Sequence, residues 1–207
     1  MALEITVPRF SYPDLCKRAE DFLREFNPQN RVPIPIEEIV EIQLGMDVIP
    51  VPGLLRDLDI DGFIGSDLQS ITVDEFVYKN RVSRYRFTLA HELAHKILHA
   101  RIYEQFAVTG IQDWERFQDE VNEKDYAILE GQANWFAGLV LVPPQELARV
   151  FAKVIAKAKS LGVDFEKAGD MALPYIAKGV AAEFEVSAEV GRIRIQKDGL
   201  WKLSGNA

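Results

Sequence analysis

The sequence predicts an α+β fold: a helix-rich core carrying a small β-sheet, followed by a helical C-terminal subdomain. Three observations predict it. Apolar residues recur three and four apart over several long stretches, the spacing of an amphipathic helix. Between residues 46 and 75 that period gives way to short β-branched runs broken by turn residues. After Pro143-Pro144 the helical spacing returns and continues nearly to the end. The expected organisation is a core over residues 1–145 and a helical subdomain over 146–207 packed on it, without internal repeats or low-complexity tracts.

The elements follow in order. Leu15, Ala19, Phe22, Leu23 and Phe26 place a helix over Asp14–Phe26, ended by "NPQN". A shorter helix is expected from Pro35 to Leu44, with Pro35 in its first turn and Gly45 at its C-cap. "MDVIPV" predicts a short strand, and "DGFIG" and "SITVDE" a hairpin or two adjacent strands. A helix over Ser83–Ala100 would be N-capped by Ser83. The acidic, weakly periodic residues 101–125 predict a loop with short helical pieces. Helices are then expected over Lys124–Leu141, from Pro144 to Ser160, and around Pro174–Phe184 and Ser187–Ile195.

Composition limits the function. The 207 residues suffice for one substantial core, and 48% hydrophobic with 27% charged residues is the balance of a soluble globular protein. A net charge of -8 argues against bulk attraction to phosphate backbones. Cys16 is the single cysteine, so an intrachain disulfide and a thiolate metal cluster are both excluded. The N-terminal residues lack the pattern of a secretory signal, and the longest apolar run, "WFAGLVLV", is too short to span a bilayer. The expected location is the cytoplasm.

The three histidines of the chain, His91, His95 and His99, all fall in "RFTLAHELAHKILHA". Within it His91-Glu92-Leu93-Ala94-His95 has the form H-E-x-x-H. Residues four apart on a helix differ by about 40° around the axis and one turn along it, so both imidazoles can reach one ion. Glu92 lies beside them as a base for the attacking water rather than as a ligand. Phe87, Ala90, Ala94, Ile97 and Leu98 give the helix a core face as well. His99 lies eight residues from His91, about 12 Å along a straight helix. That is too far for the same ion, and a structural role is expected of it, with support of the ligands as the alternative.

A catalytic zinc needs a third protein ligand and an open position. A fourth histidine is lacking, and where a longer H-E-x-x-H-x-x-G-x-x-H pattern would require glycine and histidine the chain has Leu98 and Arg101. A carboxylate must then complete the site, or the site is incomplete. Glu130 is the strongest candidate, because Glu130, Ala133, Asn134 and Ala137 share one helix face and the alanines would allow close approach to the histidine helix. Glu120, Glu123 and Asp125 compete from more polar surroundings. Zn²⁺ is the expected ion, and Mn²⁺ or another divalent cation also suits two imidazoles and a carboxylate.

"RYRFTLAHELAHKILH", followed by "ILEGQANWFAGLVLVP", resembles the ImmA/IrrE family of bacterial metallopeptidases. The likeness covers about residues 30–145: "VPIPIEEIVEIQLGMDVIPV" is similar to the family's N-terminal helix and first strand, and "DGFIGSDLQSITVDE" to its hairpin. It implies a zincin-like core and an intracellular endopeptidase, with His91, His95 and Glu130 as zinc ligands and Glu92 as general base. It also implies a protein substrate, a helix-turn-helix transcriptional repressor cleaved in a stress or mobile-element response. With no DNA-binding domain expected before residue 30, that substrate would be a separate chain. Ala94 stands where many relatives have glycine, a small-for-small change.

Other features invite further expectations. "VAAEFEVSAEVGRIRI" has the cadence of a helix-turn-helix, with Glu185 where a turn glycine is usual. Glu183 and Glu189 would repel phosphate, although Arg192, Arg194, Lys197 and Lys202 follow, so a helical subdomain packed on the core is favoured over direct nucleic-acid binding. One edge of the 62–75 hairpin would pair with an extended substrate. Tyr103, Tyr126 and Tyr175 are the candidates for an additional electrophile. The competing functions are a non-catalytic, metal-containing regulator that binds a repressor or DNA, and a hydrolase of small amides.

Overall fold

The structure, a computed structural model, describes residues 7–105 and 110–201. It is α+β and helix-rich, with a small mixed sheet. The first helix, α1 (Tyr12–Phe26), opens on a capping box in which Ser11 Oγ accepts from Asp14 N and Asp14 Oδ2 accepts from Ser11 N. Its buried face, Leu15, Ala19 and Phe22, is the one the spacing predicts. The expected helix at 35–44 divides into α2 (Ile36–Glu38) and a π-helical turn over Ile39–Gln43, with Pro35 at the N-cap. Leu44 N donates to Ile39 O across the wider turn, and Gly45 then takes a left-handed φ of +62°.

Next come β1 (Asp47–Val51), α3 (Leu54–Leu58), β2 (Gly62–Ile64) and β3 (Ser70–Asp74). Strands β2 and β3 are antiparallel neighbours, as expected, but β1 adds to the far side of β3 in parallel, giving the order β1-β3-β2. Ile71 and Val73 of the central strand are fully buried, and β1 is a half-exposed edge. Glu75, expected to end the strand, instead opens α4 (Glu75–Asn80). The cause is Asp74: its Oδ1 accepts from Val77 N and its Oδ2 from Leu55 N, both at 3.0 Å, so one buried carboxylate caps α4 and anchors α3. These hydrogen bonds hold the Asp74 carboxyl below its ordinary range even though burial pushes the other way.

The histidine helix, α5 (Val82–Tyr103), follows α4 with only Arg81 between them. Ser83 therefore lies inside the helix and does not cap it, a correction of the expected boundary; Arg81 holds the N-cap position without a side-chain bond. Leu89, Ala90, Leu93 and Ala94 are all fully buried, as in a helix enclosed on several sides. The acidic connection contains more structure than a loop: α6 (Ile111–Glu120) turns Phe117 onto Tyr103, with ring centroids 5.1 Å apart. Residues 106–109 of that connection, and Lys202, lie outside the described residues.

Then come α7 (Glu123–Leu141), N-capped by Asn122, and α8 (Pro144–Ser160) with Pro144 in its first turn. A short α9 (Phe165–Ala168) leads through a 3₁₀ turn to α10 (Leu173–Phe184) and α11 (Ala188–Lys197). Glu185 takes the left-handed conformation between the last two helices, at φ +54°, without being glycine. α10 and α11 cross closely at Gly191, where a Cβ would lie 2.9 Å from Ala177 O.

Two buried arginines tie distant segments together. Arg86 of α5 holds Glu37 at 2.7 Å and also donates to Ile34 O, fastening α2 and the segment before it to the histidine helix. Arg194 of α11 donates to Val142 O and to the Tyr12 hydroxyl and pairs with Asp198 at 2.8 Å. Among the described residues no helix is long and apolar enough to cross a membrane.

Replacing Asp74 by alanine leaves two buried N–H groups without acceptors, so a loss of about 1–3 kcal/mol in urea unfolding is expected, with Asp74→Asn losing less. Because the carboxyl is held low in the folded chain, its contribution is present at neutral pH and fades as pH falls through the folded-state value.

Candidate metal centre

Helix α5 presents His91, Glu92 and His95, and α7 presents Glu130 and Asn134 from the adjoining face. Ala133 and Ala137, predicted to share that face, are fully buried, and side chains this small let the two helices lie close. His91 Nε2 and His95 Nε2 are 3.2 Å apart; Glu130 places Oε2 3.0 Å from the first and Oε1 3.6 Å from the second. Among the described residues this is the one group of three or more histidine, cysteine or carboxylate side chains close enough to hold a metal ion.

The spacing tests the fit. Two donors each about 2.0–2.1 Å from a tetrahedral zinc are about 3.3 Å from one another. The observed separations bracket that value. The far ring nitrogens are engaged too: His91 Nδ1 meets Asn134 Oδ1 at 3.1 Å, and His95 Nδ1 meets His99 Nδ1 at 3.1 Å. Both imidazoles thus face the cluster with Nε2. The donor set, two imidazoles and one carboxylate, suits a divalent metal ion.

Burial governs the charges. Glu92 is 6% exposed, and burial, reinforced by the Glu130 charge, pushes its carboxyl up to about 7 against the pull of His91 and a hydrogen bond from the Ile64 backbone. For His91, burial opposes the proton, but the Glu130 hydrogen bond and the Glu92 charge outweigh it and lift the imidazole to about 9. Without an ion, a proton on His91 therefore balances the carboxylates. His95 is pushed well below its usual value by burial and by its two histidine neighbours.

These side chains line a cleft of ≈350 Å³ that also receives Tyr103 and Tyr126. Tyr175, the third expected candidate, is 78% exposed on α10 and borders a different groove. Glu123 and Asp125 occupy the first turn of α7, where Asp125 bonds the capping Asn122, and Glu120 ends α6; the three stand outside the cluster. The sequence placed Asn134 on the correct face without a role, and it gave no sign of Gln132 or of the Ile64 amide. Asn134 could have been found from its spacing, four residues after Glu130.

Strand β2 forms the wall beside Glu92. It lies close because residue 62 is glycine: a Cβ there would sit 2.6 Å from Thr72 O and 2.9 Å from Thr88 Cγ2 on α5. Backbone cannot yield to such a clash. Gly62→Ala is expected to lower stability by about 1–3 kcal/mol through overpacking. It should also push β2 off α5, visible as faster amide exchange at Ile64.

The chain can now be set beside known proteins. The model of Peptidase_M78, the IrrE N-terminal-like domain, matches residues 77–196. No curated protein matches the chain. A solved structure described as a Mycobacterium tuberculosis transcriptional regulator is similar at 20% identity and a TM-score of 0.50. That match covers 86% of this chain and 45% of the other, so this chain spans less than half the length of that one, and the likeness is one of fold. The family match takes in more than half of the sequence and both helices that form the cluster, and the chain belongs to the IrrE N-terminal-like family of peptidases.

Proposed function

We propose that the protein is a zinc-dependent endopeptidase in which His91, His95 and Glu130 hold the ion and Glu92 is the general base. The observation that carries the reading is the convergence of the His91 and His95 Nε2 atoms and the Glu130 carboxylate within 4.8 Å of one another, beside the buried Glu92 carboxyl. Bound there, zinc would polarise the scissile carbonyl and make a water acidic enough to lose its proton near neutral pH. Glu92 takes that proton as the water attacks and delivers it to the departing amine nitrogen. Of the three tyrosine candidates for an additional electrophile, Tyr103 and Tyr126 line the cleft and Tyr175 does not.

The substrate we infer is a polypeptide, a helix-turn-helix repressor in the cytoplasm, cleaved in a stress or mobile-element response. Peptidase family membership supports a protein substrate. Strand β2, at the sheet edge and lining the cleft at Gly62, would pair with the extended chain and lay its carbonyl against the cluster. The catalytic unit is assigned to residues 1–145, with 146–207 as a helical subdomain against it. Direct nucleic-acid binding is disfavoured by the net charge of -8.

Glu92→Gln is expected to keep the metal and to lower cleavage of a co-purified repressor by about 10²–10⁴-fold, followed by intact-mass spectrometry. Undiminished cleavage would remove Glu92 from the role of base. In parallel, elemental analysis should find near-stoichiometric zinc in the wild type and a sharp loss in Glu130→Ala. Full zinc in both would hand the third ligand to another carboxylate. Zinc without any peptide cleavage would favour a metal-containing regulator that acts by binding.

A further inference from the structure

His99 is too far along α5 to join His91 at the ion, yet it is buried and bonded on both sides of its ring. Its Nδ1 lies 3.1 Å from His95 Nδ1 and its Nε2 lies 3.0 Å from Gln132 Oε1, while Gln132 Nε2 donates at 2.8 Å to the carbonyl oxygen of Pro8. We propose that His99, Gln132 and the Pro8 carbonyl form a relay that fixes His95 with a bare Nε2 aimed at the metal, so that the N-terminal segment sets the metal affinity of the site. The proposal rests on the metal-site reading above and concerns residues to which that reading gives no part.

The direction of every bond in the chain is determined by its far end. The Pro8 carbonyl only accepts, so the Gln132 amide must turn its NH₂ toward it and its oxygen toward His99. That oxygen also only accepts, so His99 carries its proton on Nε2. A neutral His99 then offers the lone pair of Nδ1, and with it His95 donates from Nδ1. The proton that could have blocked His95 Nε2 is held on the opposite nitrogen. A second proton on His99 would also meet these contacts but would bury a positive charge against a neutral amide and another imidazole with no carboxylate bonded to the ring, so the neutral, relaying form is the one favoured.

A zinc-binding imidazole ordinarily gives its second N–H to a carboxylate or a carbonyl, which fixes its tautomer and orientation. His91 does this directly through Asn134. His95 reaches a main-chain carbonyl only through two intervening side chains, and the final acceptor lies 124 residues from Gln132 in sequence. Val7, next to Pro8, is buried, so the accepting carbonyl sits on a packed segment.

The test uses the metal-free protein. Histidine ¹⁵N NMR should show His95 protonated on Nδ1 and bare on Nε2; the reverse tautomer overturns the relay without any variant being needed. Zn²⁺ titration against a competing chelator should find His99→Leu and Gln132→Leu weakened by about 10–100-fold. His99→Asn, whose side-chain oxygen can take the place of Nδ1 as acceptor, should recover most of the loss. Equal zinc affinity in wild type and His99→Leu overturns the inference alone. No zinc uptake by the wild type overturns the metal-site reading and this inference with it.

Discussion

Glu130 meets His91 and His95 because α5 and α7 lie in contact along fully buried alanines, and most of the remaining architecture keeps that contact in place. Neither helix could hold the cluster alone. The two imidazoles come from one helix turn, and the carboxylate that completes the set arrives from a helix whose N-cap is Asn122. Under the proposed ligand set, shifts of about an ångström between the helices would take the carboxylate out of bonding range, since donor–metal distances are fixed to a few tenths of an ångström.

The same contact forces charge into the interior. Glu92 and His95 are both buried, and the protein tolerates this by mutual neutralisation rather than by exposure to water. Burial lifts Glu92 toward neutrality while the carboxylates lift His91, so a proton can sit on His91 when no ion is there. A cation entering the cluster would have to displace that proton, which couples its uptake to proton release. Strand β2 adds the Ile64 amide to Glu92, and its position depends on Gly62 and on the sheet that Asp74 anchors.

Support from outside the two helices is polar and long-range. Arg86 grips Glu37 and Ile34 O from within α5, and Arg194 joins α11 to the end of α7 and to α1. Breaking a buried ion pair of this kind by removing one partner is strongly destabilising, because the charge left behind has no water to receive it. The His99–Gln132–Pro8 chain belongs to the same pattern, a local motif braced by a segment remote in sequence.

The sequence by itself determined what depends on spacing within one element. The four-residue step from His91 to His95, the place of Glu92 beside it, the face shared by Glu130, Ala133 and Asn134, and the stops at Pro143-Pro144 and Gly45 all follow from helix geometry and backbone restriction. Tertiary structure decided what requires two elements to meet. It separated Glu130 from Glu120, Glu123 and Asp125, placed β1 in parallel on the far side of β3, and kept Tyr103 and Tyr126 in the cleft while leaving Tyr175 outside. It moved the start of α5 upstream of Ser83, to Val82, because a capped α4 runs into it. It also gave His99 its partners, for a hydrogen bond between residues far apart in sequence leaves no periodic trace in the chain.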